Sequence, residues 1–204
     1  MQTLYSTHAN LVIGFHGCDL QLAEEVAAGR KELEPSNNDY DWLGPGMYFW
    51  ENNYDRALAW AEERAKRNTN IQTPGVLGAV IDLGYCLDLM DAACLAALKM
   101  AYEVLVHSFQ KAQLPLPANE TSGKSTDLLI RKLDCAVVQA AHRLSLDSDG
   151  KQYDSVRSMF TEGASLYPHS GFASKSHVQI CVCNPNCIKG YFLPRNVNPQ
   201  YPLP

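Results

Sequence analysis

Three short segments carry side chains whose types suit chemistry on a flat, charged small molecule. They are Gly14-Phe15-His16-Gly17, the loop and strand at 39–51 that contain Gly46-Met47-Tyr48-Phe49, and the late segments 160–163 and 176–182. An imidazole bonds hydroxyl groups, a phenol ring stacks on flat groups, and a carboxylate stabilises a developing positive charge. Taken singly, each residue is more typical of scaffold or surface. Their combination is what indicates a site.

A histidine followed by glycine on an early strand, and then a glycine-rich loop that enters a Tyr-Phe strand and a helix, resembles the ADP-ribosyltransferase superfamily. The similarity is to the His–Tyr–Glu branch, which includes the diphtheria-toxin-like and poly(ADP-ribose)-polymerase-like enzymes. It covers most of the chain in order. Phe-Thr-Glu-Gly at 160–163 and the run SHVQICVCNPNCIKGYFLP at 176–194 further resemble a bacterial toxin-like subgroup from phage-defence toxin–antitoxin modules.

The resemblance implies that NAD is the co-substrate and that its ADP-ribose group is transferred to an acceptor while nicotinamide is released. His16 matches the family's histidine, and we expect it to donate to a ribose hydroxyl. Gly17 would bring its backbone close to the carboxamide. Tyr48 matches the family's tyrosine and would stack on nicotinamide, with Gly46 and Phe49 completing the cofactor-binding set.

The third member of the triad departs from the family pattern. The family's glutamate usually sits on a late strand, roughly where Gln179 stands, and an amide supplies no charge. Glu162 is the only acid after Asp154, and it precedes a loop at 163–176 that we expect to fold over the site. We therefore predict that Glu162 supplies the catalytic carboxylate and that Gln179 assists, with Glu51 as a weaker candidate.

The acceptor predicted from the resemblance is a macromolecule, with nucleic acid, RNA first, favoured over protein. Trp42 and Trp50 are candidates to stack on an unpaired base of single-stranded RNA or DNA, and core packing is the alternative for both. Arg157 and Lys175 are candidates to meet the pyrophosphate, and solvated surface charge is their alternative. An antitoxin protein is a further partner that the subgroup implies.

These residues need elements to position them, and the order of apolar patterns predicts an α+β fold in a single domain over 1–204. It lacks the regular alternation of a doubly wound sheet. The resemblance implies a split β-sheet core, with residues 91–145 as a helical insertion. Strands are expected at 10–16, 47–50, 76–83, 153–160, 177–183 and 188–193, and helices after Asp19, from Asn52 or Asn53 to about 67, at 91–113 and at 126–145, with a polar loop at 117–125.

Composition limits the functional classes. The 204 residues carry a net charge of −5, which argues against a strongly basic nucleic-acid clamp but not against a local basic patch. The sequence has no run of about 18 apolar residues, so we expect no membrane span. Residues 1–10 show neither a basic patch nor an apolar stretch, which predicts a cytoplasmic protein without a secretory signal.

The seven cysteines are expected to be reduced thiols, because their number is odd and no export signal is seen. The closest group, Cys181, Cys183 and Cys187, lacks a second pair at zinc-finger spacing, so core packing is favoured over a metal site. Gly123-Lys124-Ser125 lacks the earlier glycine of a phosphate-binding loop and is interpreted as a helix-capping loop. No dinucleotide-binding glycine motif is present, so NAD would bind without a Rossmann fold.

Two other functions remain open at this point. A catalytically weak or inactive module of the same fold would bind NAD, ADP-ribose or nucleic acid, and Gln179 in the place of a glutamate is the feature that supports it. RNA 2′-phosphotransferase chemistry would need a more basic set of phosphate ligands than the sequence patterns reveal.

Overall fold

The fold is α+β, with four helices and one large mixed sheet, in a computed structural model that describes residues 11–67, 70–121 and 127–202. The strands are β1 Val12–Asp19, β2 Met47–Glu51, β3 Pro74–Ile81, β4 Cys86–Asp88, β5 Asn119–Thr121, β6 Leu128–Arg131, β7 Ser155–Phe160, β8 His177–Val182 and β9 Ile188–Phe192. The helices are α1 Leu20–Ala27, α2 Tyr54–Ala65, α3 Ala92–Lys111 and α4 Lys132–Asp149.

Seven strands form the main sheet in the order β4-β7-β8-β2-β1-β3-β9, and β5 pairs with β6 in a separate hairpin. Only β4 and β7 run parallel, and every other neighbouring pair is antiparallel. Strands that are distant in sequence therefore lie side by side at the centre of the sheet. In particular, β2 lies between β1 and the late strand β8, which brings the three sequence segments together.

The contact between β1 and β2 is much shorter than that between β1 and β3. β1 pairs with β3 over eight residues, from Val12 to Asp19, but its register with β2 covers only Gly14↔Glu51 and Phe15↔Trp50. Beyond those pairs, the side chain of His16 rather than its backbone contacts β2, through the carbonyl oxygen of Tyr48. The sheet therefore opens between β1 and β2 at the His16 end.

The two faces of the sheet are covered by different helices. On one face, α1 packs over a core that includes Met47, Phe49 and Leu77. On the other face, α3 and α4 cover one part of the sheet and α2 covers another, where it packs against Trp50. Because side chains alternate along a strand, Tyr48 and Trp50 both lie on this second face. The space between α2 and α4 on this face is open to solvent, so it is the place where a site can form.

Local signals set the ends of the first three helices. Asp19, Asn53 and Asp91 each accept a hydrogen bond from a backbone N–H in the first turn of the helix that follows. The Asp19 carboxylate also accepts from the N–H groups of Gln72 and Thr73, which lead into β3. The same carboxylate therefore ties the start of α1 to the neighbouring strand.

The predicted helix at 126–145 is wrong at both ends. Residues 128–131 form β6, and α4 runs from Lys132 to Asp149, where Gly150 ends it in the left-handed region with φ 70°. Part of the loop predicted at 117–125 is strand β5, and the carboxamide oxygen of Asn119 accepts from the first N–H groups of α4. This cap comes from a distant residue, so no local pattern reveals it. The proposed capping loop at 123–125 lies outside the described residues.

α3 bears on the expectation, drawn from composition, that the chain has no membrane-spanning segment. An 18-residue window of this 20-residue helix has a mean hydropathy of 1.3, so by length and composition alone the helix would suffice to cross a membrane. Lys99 and Glu103 interrupt the apolar run, which is why no uninterrupted stretch of about 18 apolar residues is seen in the sequence. Only 11% of the window is buried, and α3 buries Ala101 and Leu105 in the core that it shares with α4.

Candidate functional site

A cleft of about 700 Å³ opens on the second face of the sheet, between α2 and the loop that precedes β2. Four of the predicted catalytic residues, His16, Tyr48, Glu162 and Gln179, line this cleft, and Gly46 lines it as well. They come from β1, β2, β8 and the residues that follow β7. The structure therefore brings residues from three distant parts of the sequence into one cavity.

His16 is fixed at the point where the sheet opens. Its Nδ1 lies 2.8 Å from the carbonyl oxygen of Tyr48. Since a carbonyl oxygen only accepts, Nδ1 carries the hydrogen and Nε2 of the neutral ring is an acceptor. Burial lowers the pKa of His16 below its usual value, with a smaller opposing effect from the Tyr48 bond. The ring is therefore neutral near pH 7 and presents an acceptor at Nε2, whereas the sequence analysis expected a donor.

Tyr48 contributes its ring to the cleft and its hydroxyl to the loop. The O–H donates to the carbonyl oxygen of Gly44 at 2.7 Å and accepts from the N–H of Leu43 at 3.1 Å. Burial, together with the nearby Cys181 and Asp41, raises the pKa of this phenol well above its usual value. The hydroxyl stays protonated and holds the Leu43–Gly46 turn against β2.

Gln179 lies on β8 directly opposite Trp50 of β2. Its Oε1 accepts from Nε1–H of Trp42 at 2.6 Å, and the side chain is buried. The carbonyl end of the amide is thereby oriented, which leaves the NH₂ end as the donor that Gln179 can offer. Gln179 lines the cleft from β8, and its chemistry is that of a neutral donor.

Glu162 reaches the same cleft, but it forms an ion pair that sequence reasoning missed. Its Oε2 lies 3.0 Å from Nη2 of Arg56 on α2, and the side chains are 16% and 9% exposed. Arg56 also lies 5.9 Å from the centroid of the Trp50 ring. An ion pair so well shielded from water is held more firmly than a surface pair, and part of the carboxylate charge is offset.

His177 completes this wall of the cleft. Its Nδ1 donates to the carbonyl oxygen of Lys175 at 2.7 Å, and its ring packs between Trp50 and Phe160. Burial lowers the pKa of His177, with Arg56 acting in the same direction and the Lys175 bond and Glu162 opposing it. The imidazole is therefore a second neutral, buried ring beside the Glu162–Arg56 pair.

One face of α2 lines the cleft with polar and aromatic residues, and this face was missed by the sequence analysis. These residues are Arg56, Trp60, Glu63 and Arg64, and Arg67 follows two positions after the helix ends. They recur at helical spacing, so a charged and aromatic stripe was readable in the sequence, although its partners Glu162 and Lys175 were not. The stripe places three arginines at one side of the cavity, in a chain whose net charge is −5.

Arg157 does not belong to the cleft, which corrects its assignment as a pyrophosphate ligand. Its Nη2 donates to Glu51 at 2.9 Å, its Nε bonds the other oxygen of the same carboxylate, and its Nη1 donates to Asp88 at 3.0 Å. These bonds raise the pKa of Arg157, with the Glu51 bond as the largest cause. Both Glu51 and Arg157 are therefore engaged in holding β2, β4 and β7 together. Lys175 pairs with Glu63 at 2.7 Å beside the cleft.

The remaining cofactor-binding assignments differ in outcome. A Cβ atom on Gly17 would overlap the carbonyl oxygen of Ala57, so this glycine is required for α2 to pack on β1, and Gly17 is not among the cleft-lining residues. Phe49 is fully buried in the core on the opposite face of the sheet. Gly46 lies against Cys181 and Val182 of β8, at a distance that leaves no space for a side chain.

Trp42 and Trp50 are both used in packing. Trp42 packs against both the Arg131 guanidinium, at 4.7 Å from its ring centroid, and the Phe160 ring, at 4.9 Å. Trp50 is only 4% exposed. Tyr40 also lines the cleft, and its exposure of 44% is larger than that of either tryptophan. A base would therefore meet Tyr40 before it met either tryptophan.

The loop at 163–176 does not fold over the site in this structure. Hydrogen bonds pair its two halves, from Leu166 N–H to Phe172 and from Ser174 N–H to Ala164, so that it forms a small projecting turn. Glu162 and His177 on either side of the loop line the cleft, but none of the residues between them does.

No group of three or more His, Cys, Asp or Glu side chains arranged to hold a metal ion occurs within residues 11–67, 70–121 and 127–202. All seven cysteines lie in those ranges as free thiols.

Comparisons with known proteins add little beyond the geometry. The chain is 24% identical, over 198 residues, to an uncharacterized protein of Methanocaldococcus jannaschii, and the alignment covers 86% of this chain and 83% of that protein. No protein-family model matches the sequence. No solved structure matches it either.

Proposed function

We propose that this chain is an NAD-dependent ADP-ribosyltransferase that modifies a macromolecular acceptor and releases nicotinamide. The observation that carries the proposal is the meeting of His16 and Tyr48 where the sheet opens between β1 and β2, in one cleft with Glu162 and Gln179. The resemblance to the His–Tyr–Glu enzymes selects His16 and Tyr48, and Glu162 supplies the acid that Gln179 lacks at the family's usual position.

The size and position of the cleft support binding of a dinucleotide. Its volume of about 700 Å³ is within the range typical of sites for small molecules and cofactors. The cleft is lined by aromatic rings, two neutral imidazoles and the arginines of α2. Flat rings and phosphates are the two chemical features of NAD, and these side chains are suited to both.

The proposed reaction breaks the bond between C1′ of the ribose and the nicotinamide nitrogen. The electron pair of that bond goes to the nitrogen and neutralises the positive charge of the pyridinium ring, and the ribose becomes an oxocarbenium-like cation. A nucleophilic atom of the acceptor then attacks C1′ and loses its proton to water or to a nearby base. The protein has to bend the substrate, stabilise the cation and exclude water.

His16 and Tyr48 are assigned to binding and orientation. Nε2 of His16 accepts from a ribose hydroxyl, because Nδ1–H is already used on the Tyr48 carbonyl. The Tyr48 ring stacks on the nicotinamide, while its hydroxyl remains bonded to the turn at Leu43 and Gly44. Both roles need the opening between β1 and β2 to stay at its present width.

Glu162 is assigned to the stabilisation of the positive charge. Oε2 is bonded to Arg56, and within the described part of the chain Oε1 takes no hydrogen bond, so Oε1 is the atom that faces the reacting ribose. Arg56 orients the carboxylate and offsets part of its charge. Gln179 lies where the family's glutamate usually sits and donates its NH₂ group to a ribose hydroxyl, which orients the sugar without adding charge.

For the acceptor, we favour single-stranded RNA over DNA and over protein. Tyr40 offers an exposed ring at the cleft, and Arg64 and Arg67 line the same cavity. An exposed aromatic ring that shares a cavity with cationic side chains suits the binding of an unpaired base and its phosphate. The resemblance to the toxin-like subgroup adds growth inhibition as the biological effect and an antitoxin protein as a partner.

The test is incubation of the protein with NAD labelled in its adenylate part, together with fractionated RNA, DNA and protein from a cell lysate. We expect release of nicotinamide and transfer of the label to RNA. Glu162→Gln keeps the shape of the side chain but removes its charge, and we expect a loss of at least about 100-fold in nicotinamide release. Glu103→Gln, on the exposed side of α3, is the matched control.

Each outcome bears on a different part of the proposal. If Glu162→Gln keeps full activity while His16→Ala is inactive, the assignment of the carboxylate is wrong and the reaction stands. If the wild-type protein releases no nicotinamide with any acceptor fraction, the transferase proposal fails.

A second function is supported by Gln179 and by the Arg56 pair. An amide in place of the usual glutamate, and an acid whose charge is partly offset, would suit a module that binds NAD, ADP-ribose or nucleic acid without turnover. Calorimetric titration with NAD separates the two functions, because the module binds NAD and leaves it intact, whereas the enzyme consumes it.

A further inference from the structure

A cysteine outside the cleft lies beside a histidine in a way that the proposed reaction does not use. Sγ of Cys183, just after β8, is 3.8 Å from Nε2 of His142 on α4. The His142 ring is held edge-on against Tyr153, at 5.6 Å between the centroids. Cys183 is partly exposed. A thiol in reach of an imidazole that is itself oriented by a third group is the arrangement of an activated nucleophile.

We propose that Cys183 and His142 form a reactive thiol site that takes small disulfides and becomes reversibly modified. The proposal is independent of the transferase function, because neither residue lines the cleft. It assigns a chemical role to one of the seven cysteines that the sequence analysis placed in the core.

The surroundings of Cys183 separate it from the other six cysteines. The neighbouring Cys181 thiol lowers the pKa of Cys183, the bond and charge of His142 lower it further, and burial and Asp154 oppose them. For Cys18, Cys86, Cys94, Cys135, Cys181 and Cys187, the pKa is raised, and burial is the largest cause in each case. Since the thiolate is the nucleophile, Cys183 is the cysteine that reacts first at mildly acid pH.

The reaction is a thiol–disulfide exchange. The proton of Cys183 passes to Nε2 of His142, and the Cys183 thiolate attacks one sulfur of the small disulfide. A new S–S bond forms to Cys183, the original S–S bond breaks, and the leaving thiolate takes up the proton. No external oxidant is needed, because the small disulfide is itself the species that is reduced.

The modified cysteine would have a connection to the cleft. Cys181 precedes Cys183 on the same side of the strand, and its Sγ contacts the carbonyl oxygen of Gly44 at 3.5 Å. The Tyr48 hydroxyl donates to that same oxygen. A bulky group on Cys183 therefore lies two contacts away from the turn that Tyr48 holds, so modification would be expected to alter the cleft.

The experiment uses glutathione disulfide on the folded, reduced protein at pH 6, with the adduct located by peptide mass spectrometry. While the pH is below the pKa of a thiol, each unit by which that pKa is lowered increases the thiolate fraction about tenfold. The nucleophilicity of the thiolate falls about threefold at the same time, so the rate of exchange rises about threefold. Because the pKa of Cys183 is lowered and that of the partly exposed Cys94 is raised, we expect Cys183 to react at least about tenfold faster than Cys94. The adduct should be absent in Cys183→Ser.

His142→Gln should slow the reaction at Cys183 by about threefold or more, and His107→Gln, on the exposed side of α3, should not change it. Circular dichroism checks that each variant is folded. The pH dependence in the unchanged protein provides a second test, which needs no variant. From pH 6 to 8 the rate at Cys183 should rise less than tenfold, whereas an ordinary thiol rises about 100-fold. Faster modification of another cysteine, or an ordinary pH profile at Cys183, overturns the proposal.

Discussion

Tyr48→Phe separates the two roles that the structure gives to this side chain. The change removes the hydroxyl and keeps the ring. In the folded protein, that hydroxyl accepts from the Leu43 N–H at 3.1 Å and donates to the Gly44 carbonyl oxygen at 2.7 Å. The Gly44 oxygen keeps its contact with the Cys181 thiol, but the Leu43 N–H loses its acceptor. The stability of the folded state should therefore fall, while stacking on a nicotinamide ring should survive.

The size of the loss follows from the buried N–H. A buried donor left without its partner costs about 1–3 kcal/mol of folding free energy. For a domain of this length, each kcal/mol lowers the melting temperature by about 2–4 °C, so we expect a decrease of about 2–12 °C. Urea unfolding followed by circular dichroism gives the free energy directly. Tyr102→Phe, on the exposed side of α3, is the control and should be neutral.

Activity measurements complete the test. We expect Tyr48→Phe to keep its rate of nicotinamide release within a few fold under conditions where the protein is folded, and Tyr48→Ala to raise the KM for NAD through loss of the stacked ring. The reasoning is refuted if Tyr48→Phe abolishes turnover while its stability is unchanged. That result would mean that the hydroxyl contacts the substrate and that its bonds to Leu43 and Gly44 are exchanged on binding.

Two further changes test the surroundings of the site. Burial lowers the folded-state pKa of His16 and His177 below about 6.5, so the unfolded chain takes up protons first as the pH falls. As the pH falls below about 6.5, the free energy of unfolding should therefore decrease by up to about 1.4 kcal/mol per pH unit for each ring, with a shallower decrease in His16→Gln. An unchanged slope in that variant would contradict the assignment. Gly17→Ala should greatly reduce the yield of folded protein, because the added methyl group overlaps the Ala57 carbonyl oxygen. Gly190→Ala is the control and should be tolerated, because its methyl group meets nothing within 4 Å. Equal yields of the two variants would disprove the close packing of Gly17 on Ala57.

Local sequence signals predicted the parts of the site that depend on neighbouring residues. Asp19 and Asn53 were readable as helix caps, and the strands that carry His16 and Tyr48 were readable as apolar runs beside glycine-rich turns. These signals are confirmed because capping and strand alternation act over a few residues. The pairing of β1 with β2, in contrast, had no local signal in the sequence.

The parts that were missed depend on contacts between distant residues. Arg157 looked available for a phosphate because nothing in its neighbourhood in sequence shows that Glu51, 106 positions away, takes its guanidinium. The start of α4 was misplaced for the same reason, since its cap is the side chain of Asn119. Charged pairs and distant caps satisfy polar groups that a one-dimensional pattern shows as free.

α2 connects the architecture of the sheet with the chemistry of the cleft. Its inner side, at Ala57, packs so closely on Gly17 that the helix cannot move towards β1, and its next residue back, Arg56, is thereby fixed beside Glu162. The helix that covers this part of the sheet is thus also the element that orients the Glu162 carboxylate. In this chain, Gly17 is therefore required for the packing of α2. Its effect on the cleft is transmitted through the Arg56–Glu162 pair rather than through a direct contact with the substrate.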